Sequence, residues 1–272
     1  PRAIVAFMNG TLATGDMRYM DLWRDQAAAI DAAGRQIDGE LHTPRMHGAD
    51  GWYGFQRGRY DLGGFERWYM TQRADDRAAV GDHPWLAFLD GRNPGWAEQS
   101  LRTDHQRVKE RVAAIAQDRT TPETRLADNP LDYNPASVTA LIQQTQGGLH
   151  IARPPWAPTS PNQGGAPLHA RLRHFDPARR RAGMPPDVAV LVTAMDARSV
   201  TATLVNVGQA PRELVMQGGA YGEHRIEAVE AAGARVATHG RAVRVRLSPG
   251  CGASMRLLAT RYSLPPTLSF PF

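Results

Sequence analysis

The densest group of chemically capable side chains lies between Leu41 and Tyr60, in the segment LHTPRMHGADGWYGFQRGRY. It carries two His, three Arg, one Asp, two Tyr and one Trp, separated by four Gly and one Pro. A Trp or Tyr ring can stack on a pyranose, an Arg can hold a carboxylate or two hydroxyls, and a His or Tyr can transfer a proton. These residue types therefore predict a sugar-binding and proton-transfer site.

Within this segment we expect three residues with catalytic roles, which are His47, Asp50 and Tyr53. Substrate-binding roles are expected for four residues, which are His42, Arg45, Trp52 and the nearby Glu66. A purely structural explanation stays open, in which Trp52 and Tyr53 anchor the segment and the two His are surface residues. Glu66 also lies in the first turn of a predicted helix, where a carboxylate stabilises the helix dipole.

The number of available carboxylates bears on the type of reaction. Glycoside hydrolysis needs two of them, about 5–5.5 Å apart for retention or about 6.5–9.5 Å apart for inversion. Asp50, Asp61 and Glu66 are the nearby candidates. In β-elimination on a uronic acid, a His or Tyr removes the C5 proton while an Arg neutralises the acid group. The residues alone leave both reactions open.

Other kinds of site have little support in the sequence. His42 and His47 are five residues apart, and no H-E-x-x-H or clustered Cys/His pattern is present, so we expect no metal. The chain contains no G-x-S-x-G, P-loop or G-x-G-x-x-G motif, so we expect neither a serine nucleophile nor a cofactor.

Helices are expected to position the Leu41–Tyr60 segment. No helix or strand period runs through the segment itself, so we predict a long loop. A helix is predicted after Asp16, with an inward face formed by Met20, Trp23, Ala27 and Ile30. Another is predicted from about 64 to 72. A long helix is expected to begin at Asn93-Pro94 and to bury a stripe formed by Leu101, His105, Val108, Val112 and Ile115.

The character of the chain changes in its second half. The Pro-rich residues 150–167 are predicted to link a helical domain, 1–149, to a second domain, 168–272. Beyond the linker, apolar and polar residues alternate, as in Val200–Leu204 and Val243–Leu247, which indicates an antiparallel β-sandwich. Pro186–Met195 is ambiguous and fits one helical turn. The predicted fold class is therefore α+β with two domains.

Composition limits the partners. The formal charge of +5 is spread over the chain without a basic stripe, so nucleic acid is not expected, and no apolar run is long enough to span a membrane. The lone Cys251 excludes an internal disulfide. Because the chain begins at Pro1 rather than Met, we expect further sequence upstream.

The order of elements resembles the C-terminal part of an (α/α)-toroid enzyme followed by a β-sandwich. The stretch TGDMRYMDLWRDQAAAI is similar to helix openings in such toroids. LVNVGQAPRELVMQGGAYGEH and YSLPPTLSFPF resemble the tail of uncharacterised bacterial proteins with this layout. The resemblance implies a glycoside hydrolase or polysaccharide lyase acting on a glycan, with further toroid helices upstream of Pro1. It assigns no catalytic residue.

Two alternatives remain. One is a toroid dehydratase or isomerase that acts on a small substrate in a closed apolar pocket. The other is a non-catalytic subunit that assembles with another chain, which would expose apolar surface on its helices. We expect a periplasmic or secreted protein rather than a cytoplasmic one.

Overall fold

The computed structural model describes residues 2–60, 62–125, 138–149 and 167–272. The chain divides into two compact units, Pro1–Gly81 and Asp82–Phe272. A helical region precedes a β-sandwich, so the predicted α+β class is confirmed. Most of the predicted linker, residues 150–166, lies outside the described residues.

Four helices form the frame of the first unit, and they are α1 (Arg2–Thr14), α2 (Arg18–Ala32), α3 (Gly64–Thr71) and α4 (Ala74–Val80). The predicted inward face of α2 is confirmed, because its buried residues are Met20, Trp23, Ala27 and Ile30. Trp23 also donates a hydrogen bond from its indole nitrogen to the Leu62 carbonyl (2.9 Å), which ties the helix to the start of α3.

A buried carboxylate holds three of these helices together. Asp76 of α4 is 1% exposed. Its two oxygens lie 2.7 Å from guanidinium nitrogens of Arg24 on α2 and Arg67 on α3. The Thr71 hydroxyl donates to the same carboxylate. Two cations and a hydroxyl therefore compensate the buried charge of Asp76.

Short strands, and not the predicted long loop, join α2 to α3. Strands β1 (Arg35–Ile37), β2 (Glu40–Thr43) and β5 (Gln56–Arg57) form one small antiparallel sheet, while β3 (Met46–Gly48) pairs with β4 (Gly51–Tyr53). The loop prediction was wrong because each strand has only two to four residues, too few for an alternating pattern to be visible.

The second unit begins with α5 (Pro84–Leu89), α6 (Trp96–Gln117) and α7 (Thr139–Gln146), with a 3-10 turn at Pro122–Arg125. Polar contacts join α6 to α7. The Asp104 carboxylate accepts the Ala140 backbone N–H (3.1 Å), and the Gln144 amide donates to the Ala97 carbonyl (2.7 Å) and the Ser100 hydroxyl (2.8 Å). Helices α5 and α7 both contact strands of the sandwich, as expected for helices of the same compact unit.

The predicted buried stripe of α6 is wrong. Leu101, Val112 and Ile115 are 37%, 51% and 42% exposed, and His105 is exposed as well. Helix α7 has eight residues and a length of about 12 Å, whereas the 22 residues of α6 extend over about 33 Å. Among the described residues, α7 therefore covers one end of α6 and leaves the rest open to solvent.

Two antiparallel sheets form the sandwich. The four-stranded sheet has the order β13-β10-β6-β7, with β6 (Leu172–Asp176), β7 (Arg181–Ala182), β10 (Arg212–Gly218) and β13 (Ala242–Leu247). The five-stranded sheet has the order β12-β11-β14-β9-β8, with β8 (Val188–Met195), β9 (Ser199–Asn206), β11 (Arg225–Ala231), β12 (Ala234–Gly240) and β14 (Gly252–Thr260). The helical turn suggested for Pro186–Met195 is thus wrong, since strand β8 occupies it.

Apolar side chains from both sheets form one core. The four-stranded sheet contributes Leu214 and Met216 of β10, and the five-stranded sheet contributes Val192, Leu204 and Leu257. The alternation at Val200–Leu204 and Val243–Leu247 predicted β9 and β13 correctly. Among the described helices, none is both long and apolar enough to cross a lipid bilayer.

Candidate functional site

A tight hairpin carries the three residues with predicted catalytic roles. Strands β3 and β4 pair through His47 with Trp52 and through Gly48 with Gly51, and Ala49-Asp50 connects them. Gly51 adopts φ +96°, a backbone conformation that favours glycine. Asp50 is therefore exposed at the hairpin tip.

The two faces of this hairpin carry different side chains. His47 and Trp52 lie opposite each other on one face, with ring centroids 4.7 Å apart in an edge-to-face arrangement. Met46 pairs with Tyr53 on the other face, since successive side chains of a strand point to opposite sides. The Tyr53 ring lies over Gly48, where an added Cβ would be 3.2 Å from its Cε1. The structure brings His47 and Trp52 together and separates Tyr53 from both.

Arg45 lies two residues before His47 and is held by two neighbours. Its Nε donates to Gln56 Oε1 (3.0 Å), and its guanidinium carbon lies 4.7 Å from the centroid of the Tyr60 ring. Within the described residues, its two terminal nitrogens have no hydrogen-bond partner. An anchored guanidinium with free terminal N–H groups is well suited to a carboxylate ligand.

The remaining two predicted binding residues lie outside the hairpin. His42 is on β2, where its Nδ1 is 3.1 Å from the Glu40 carbonyl oxygen. Because a carbonyl can only accept, Nδ1 carries a proton. Glu66 lies half-buried in the first turn of α3, as expected for a residue that stabilises the helix dipole. Neither arrangement assigns a chemical role.

The face formed by His47 and Trp52 can support a simple reaction. A half-buried indole offers a flat apolar surface, and the exposed imidazole beside it can accept a proton from a ligand on that surface. Among the described residues, no group of three or more His, Cys, Asp or Glu is arranged to hold a metal ion.

A second polar cluster, which the sequence analysis did not single out, is buried in the second unit. Its members are at most 4% exposed, and they are His169, Arg171, Glu223 and His224; His174 in the same stretch of chain is buried as well. The segments HARLRHF and QGGAYGEH hold these residues. Their density of His, Arg and Glu is the signal in the sequence that indicates this cluster.

Glu223 sits over a turn of the backbone. Its carboxylate accepts the Tyr221 N–H (2.8 Å), and an added Cβ at Gly219 would clash with its carboxyl carbon. Gly219, with φ +85°, is therefore required for this close approach. Burial raises the pKa of Glu223 to about 7, against the opposing effect of backbone N–H groups and the Arg173 charge.

The buried histidines are held neutral. His224 Nδ1 accepts the Tyr262 backbone N–H (3.1 Å), so the proton of its neutral ring lies on Nε2, and burial lowers its pKa well below the usual range. His174 Nε2 donates to the Thr145 carbonyl (2.6 Å), and neither ring nitrogen of His169 has a hydrogen-bond partner among the described residues. Burial lowers the pKa of His169 and of His174 to about 4. This closed cluster supports the fold and has no solvent-exposed group that could meet a substrate.

Comparison with known families gives one match. Residues 78–142 match a family described as a domain of unknown function, DUF8034. No curated protein and no solved structure matches the chain. The matched residues include α5 and α6 but neither the hairpin nor the sandwich strands.

Proposed function

We propose that this protein acts on an acidic glycan, with the β3–β4 hairpin as part of the substrate-binding surface. The observation that carries the proposal is the contact between His47 and Trp52 on one hairpin face, 4.7 Å between ring centroids. A proton-transferring group and an aromatic platform thereby lie side by side at the surface.

The reaction that fits this surface best is β-elimination. A base removes the C5 proton, the C4–O bond to the leaving sugar breaks and a C4=C5 double bond forms, while a cation neutralises the neighbouring carboxylate. The departing oxygen takes up a proton from the protonated base or from water. His47 supplies the base, and the anchored guanidinium of Arg45, two residues earlier, supplies the cation. Trp52 stacks on the sugar ring. Hydrolysis would need two carboxylates at a defined separation, and the hairpin itself carries one, Asp50.

Tyr53 has a different position in this proposal. It projects from the face opposite His47, so the two side chains do not act on the same sugar. Tyr53, half exposed, is a contact for a neighbouring sugar or for the surrounding protein surface.

The test is the appearance of unsaturated uronate ends, which absorb ultraviolet light, during incubation with polygalacturonate, alginate or hyaluronan. His47→Ala should lower the rate by roughly 100-fold or more, as expected for loss of a general base. The matched control is His105→Ala, which removes an exposed imidazole from α6 and should leave the rate unchanged.

Two outcomes would contradict the proposal. New reducing ends without ultraviolet absorbance would indicate hydrolysis and overturn elimination. Equal rates for His47→Ala and the wild-type protein would overturn the assignment of the hairpin as the site.

A further inference from the structure

A polar groove lies on the outer face of the five-stranded sheet in the second unit. Its centre is a row of paired residues across four adjacent strands. Glu230 of β11 pairs with Arg235 of β12 on one side and with Arg256 of β14 on the other. Arg256 in turn pairs with Thr201 of β9. Directly paired residues project from the same face of a sheet, so these four side chains line one surface.

The two arginines of this row are only loosely engaged. Arg235 and Arg256 lie 3.5 Å and 3.6 Å from the Glu230 oxygens, and Arg256 lies 3.5 Å from Asp196. Charge-assisted hydrogen bonds are about 2.7–2.9 Å long. By contrast, the Arg244–Glu213 pair on the other sheet measures 2.6 Å. Each terminal guanidinium nitrogen carries two N–H groups, so Arg235 and Arg256 keep N–H groups for a ligand in addition to their ion pairs with Glu230 and Asp196.

One of the guanidinium groups is also held in place. Arg256 Nε donates to the Ser199 hydroxyl (3.1 Å). Because the guanidinium group is planar, this hydrogen bond fixes the directions of its two terminal nitrogens. A fixed guanidinium loses less conformational freedom when it binds a carboxylate than a mobile one does. Arg256 is therefore the stronger of the two candidate anion contacts.

The shape of the groove suits a small ligand. Its volume is about 450 Å³, and the β11–β12 turn, Ala231–Ala234, lines one side without bulky side chains. The hydroxyls of Thr201 and Ser254 also line it. None of the lining residues is aromatic, so recognition here depends on hydrogen bonds and charge rather than on stacking.

We propose that this groove binds a carboxylated saccharide unit, separately from the hairpin. The guanidinium groups of Arg235 and Arg256 bind the carboxylate, while Glu230, Thr201 and Ser254 exchange hydrogen bonds with the sugar hydroxyls. A phosphate carries more negative charge than a carboxylate, so the Glu230 carboxylate repels it more strongly. This inference rests on the proposed function, because it names acidic glycan as the ligand of a second site that retains the polymer.

The test is affinity electrophoresis of the full chain in native gels containing polygalacturonate or its fully methyl-esterified form, which has the same backbone without free carboxylates. We expect retardation by the acidic polymer alone. Arg235→Gln with Arg256→Gln should weaken apparent binding roughly 10-fold or more. The matched control, Arg244→Gln with Arg246→Gln, removes the same charge from the other sheet and should retain wild-type retardation.

Three results would overturn the inference. The first is equal retardation of the wild-type protein by both polymers, and the second is no retardation of the wild-type protein by either. The third is equal weakening of binding in both double variants, which would indicate an effect of net charge. His47→Ala separates this site from the hairpin, because it should lower product formation roughly 100-fold or more and leave retardation unchanged. A variant that loses turnover but keeps its retardation therefore affects the hairpin site. A variant that loses retardation but keeps its turnover affects the groove.

Discussion

The buried histidines of the second unit make its stability depend on pH in a way that one substitution can isolate. His174 has a folded-state pKa of about 4, whereas an exposed histidine in the unfolded chain titrates near 6.5. The unfolded state therefore binds a proton more readily. The contribution of neutral His174 to the free energy of unfolding is therefore fully present above pH 6.5, and it is lost as the pH falls from 6.5 through about 4.

The size of this effect follows from the shift. A difference of about 2.5 pKa units corresponds to about 3 kcal/mol of free energy of unfolding for each such histidine. Glu223 acts in the opposite direction, because its pKa is raised to about 7 and its contribution is lost as the pH rises from 4.5 through 7. His169 adds to the effect of His174, so the unit as a whole should lose stability on acidification.

His174→Gln removes one of these titrations, and its amide can still donate to the Thr145 carbonyl. Urea unfolding at pH 7 and pH 4, followed by circular dichroism, gives the free energy of unfolding of each protein. Between these pH values the variant should lose about 3 kcal/mol less than the wild-type protein. His105→Gln, at an exposed position, is the control and should behave as the wild type. Equal losses for His174→Gln and the wild type would show that protonation of His174 does not lower the stability of the second unit.

Three further substitutions test the packing of the two units by the same unfolding measurement. Asp76→Ala removes the carboxylate shared by the partly buried guanidinium groups of Arg24 and Arg67 and should cost about 1.5–3 kcal/mol in the first unit, and a change below about 1 kcal/mol would contradict the central role of this carboxylate. Val112→Asp should change the stability by less than about 0.5 kcal/mol because the side chain is half exposed, and a large loss would mean that the stripe is covered. Gly219→Ala combines a positive φ with a clash against the Glu223 carboxyl group and should cost at least about 2 kcal/mol, whereas a neutral substitution would disprove that close approach.

The elements that the sequence predicted correctly are those whose periodicity reports burial directly. Helix α2 places four apolar residues on one face, and all four are buried. Strands β9 and β13 alternate because one side of each faces the sandwich core, and this local pattern needs no knowledge of the partner strand.

Predictions that depend on distant partners failed. The apolar spacing of α6 correctly indicates a helix, but the length of α7 decides how much of it is covered. Strand β8 buries Val188, Val190 and Val192 alternately, but the intervening Ala189 and Leu191 are apolar as well, so the sequence shows no alternation there. The polar cluster around Glu223 joins residues separated by about 50 positions, and a local pattern cannot show that they become buried together.

The candidate site shows the same limit. Residue types alone indicated that Leu41–Tyr60 could bind a sugar and transfer a proton. Which side chains share a face depends on the register of the β3–β4 hairpin, which pairs His47 with Trp52 and Met46 with Tyr53. The sequence grouped His47 with Tyr53, and the register places them on opposite sides.

The most direct test of the proposed function is therefore the rate of unsaturated-end formation by His47→Ala compared with Tyr53→Phe on the same polyuronate. We expect a loss of roughly 100-fold or more for His47→Ala and a rate within a few-fold of wild type for Tyr53→Phe. Loss of activity in Tyr53→Phe together with retained activity in His47→Ala would contradict it.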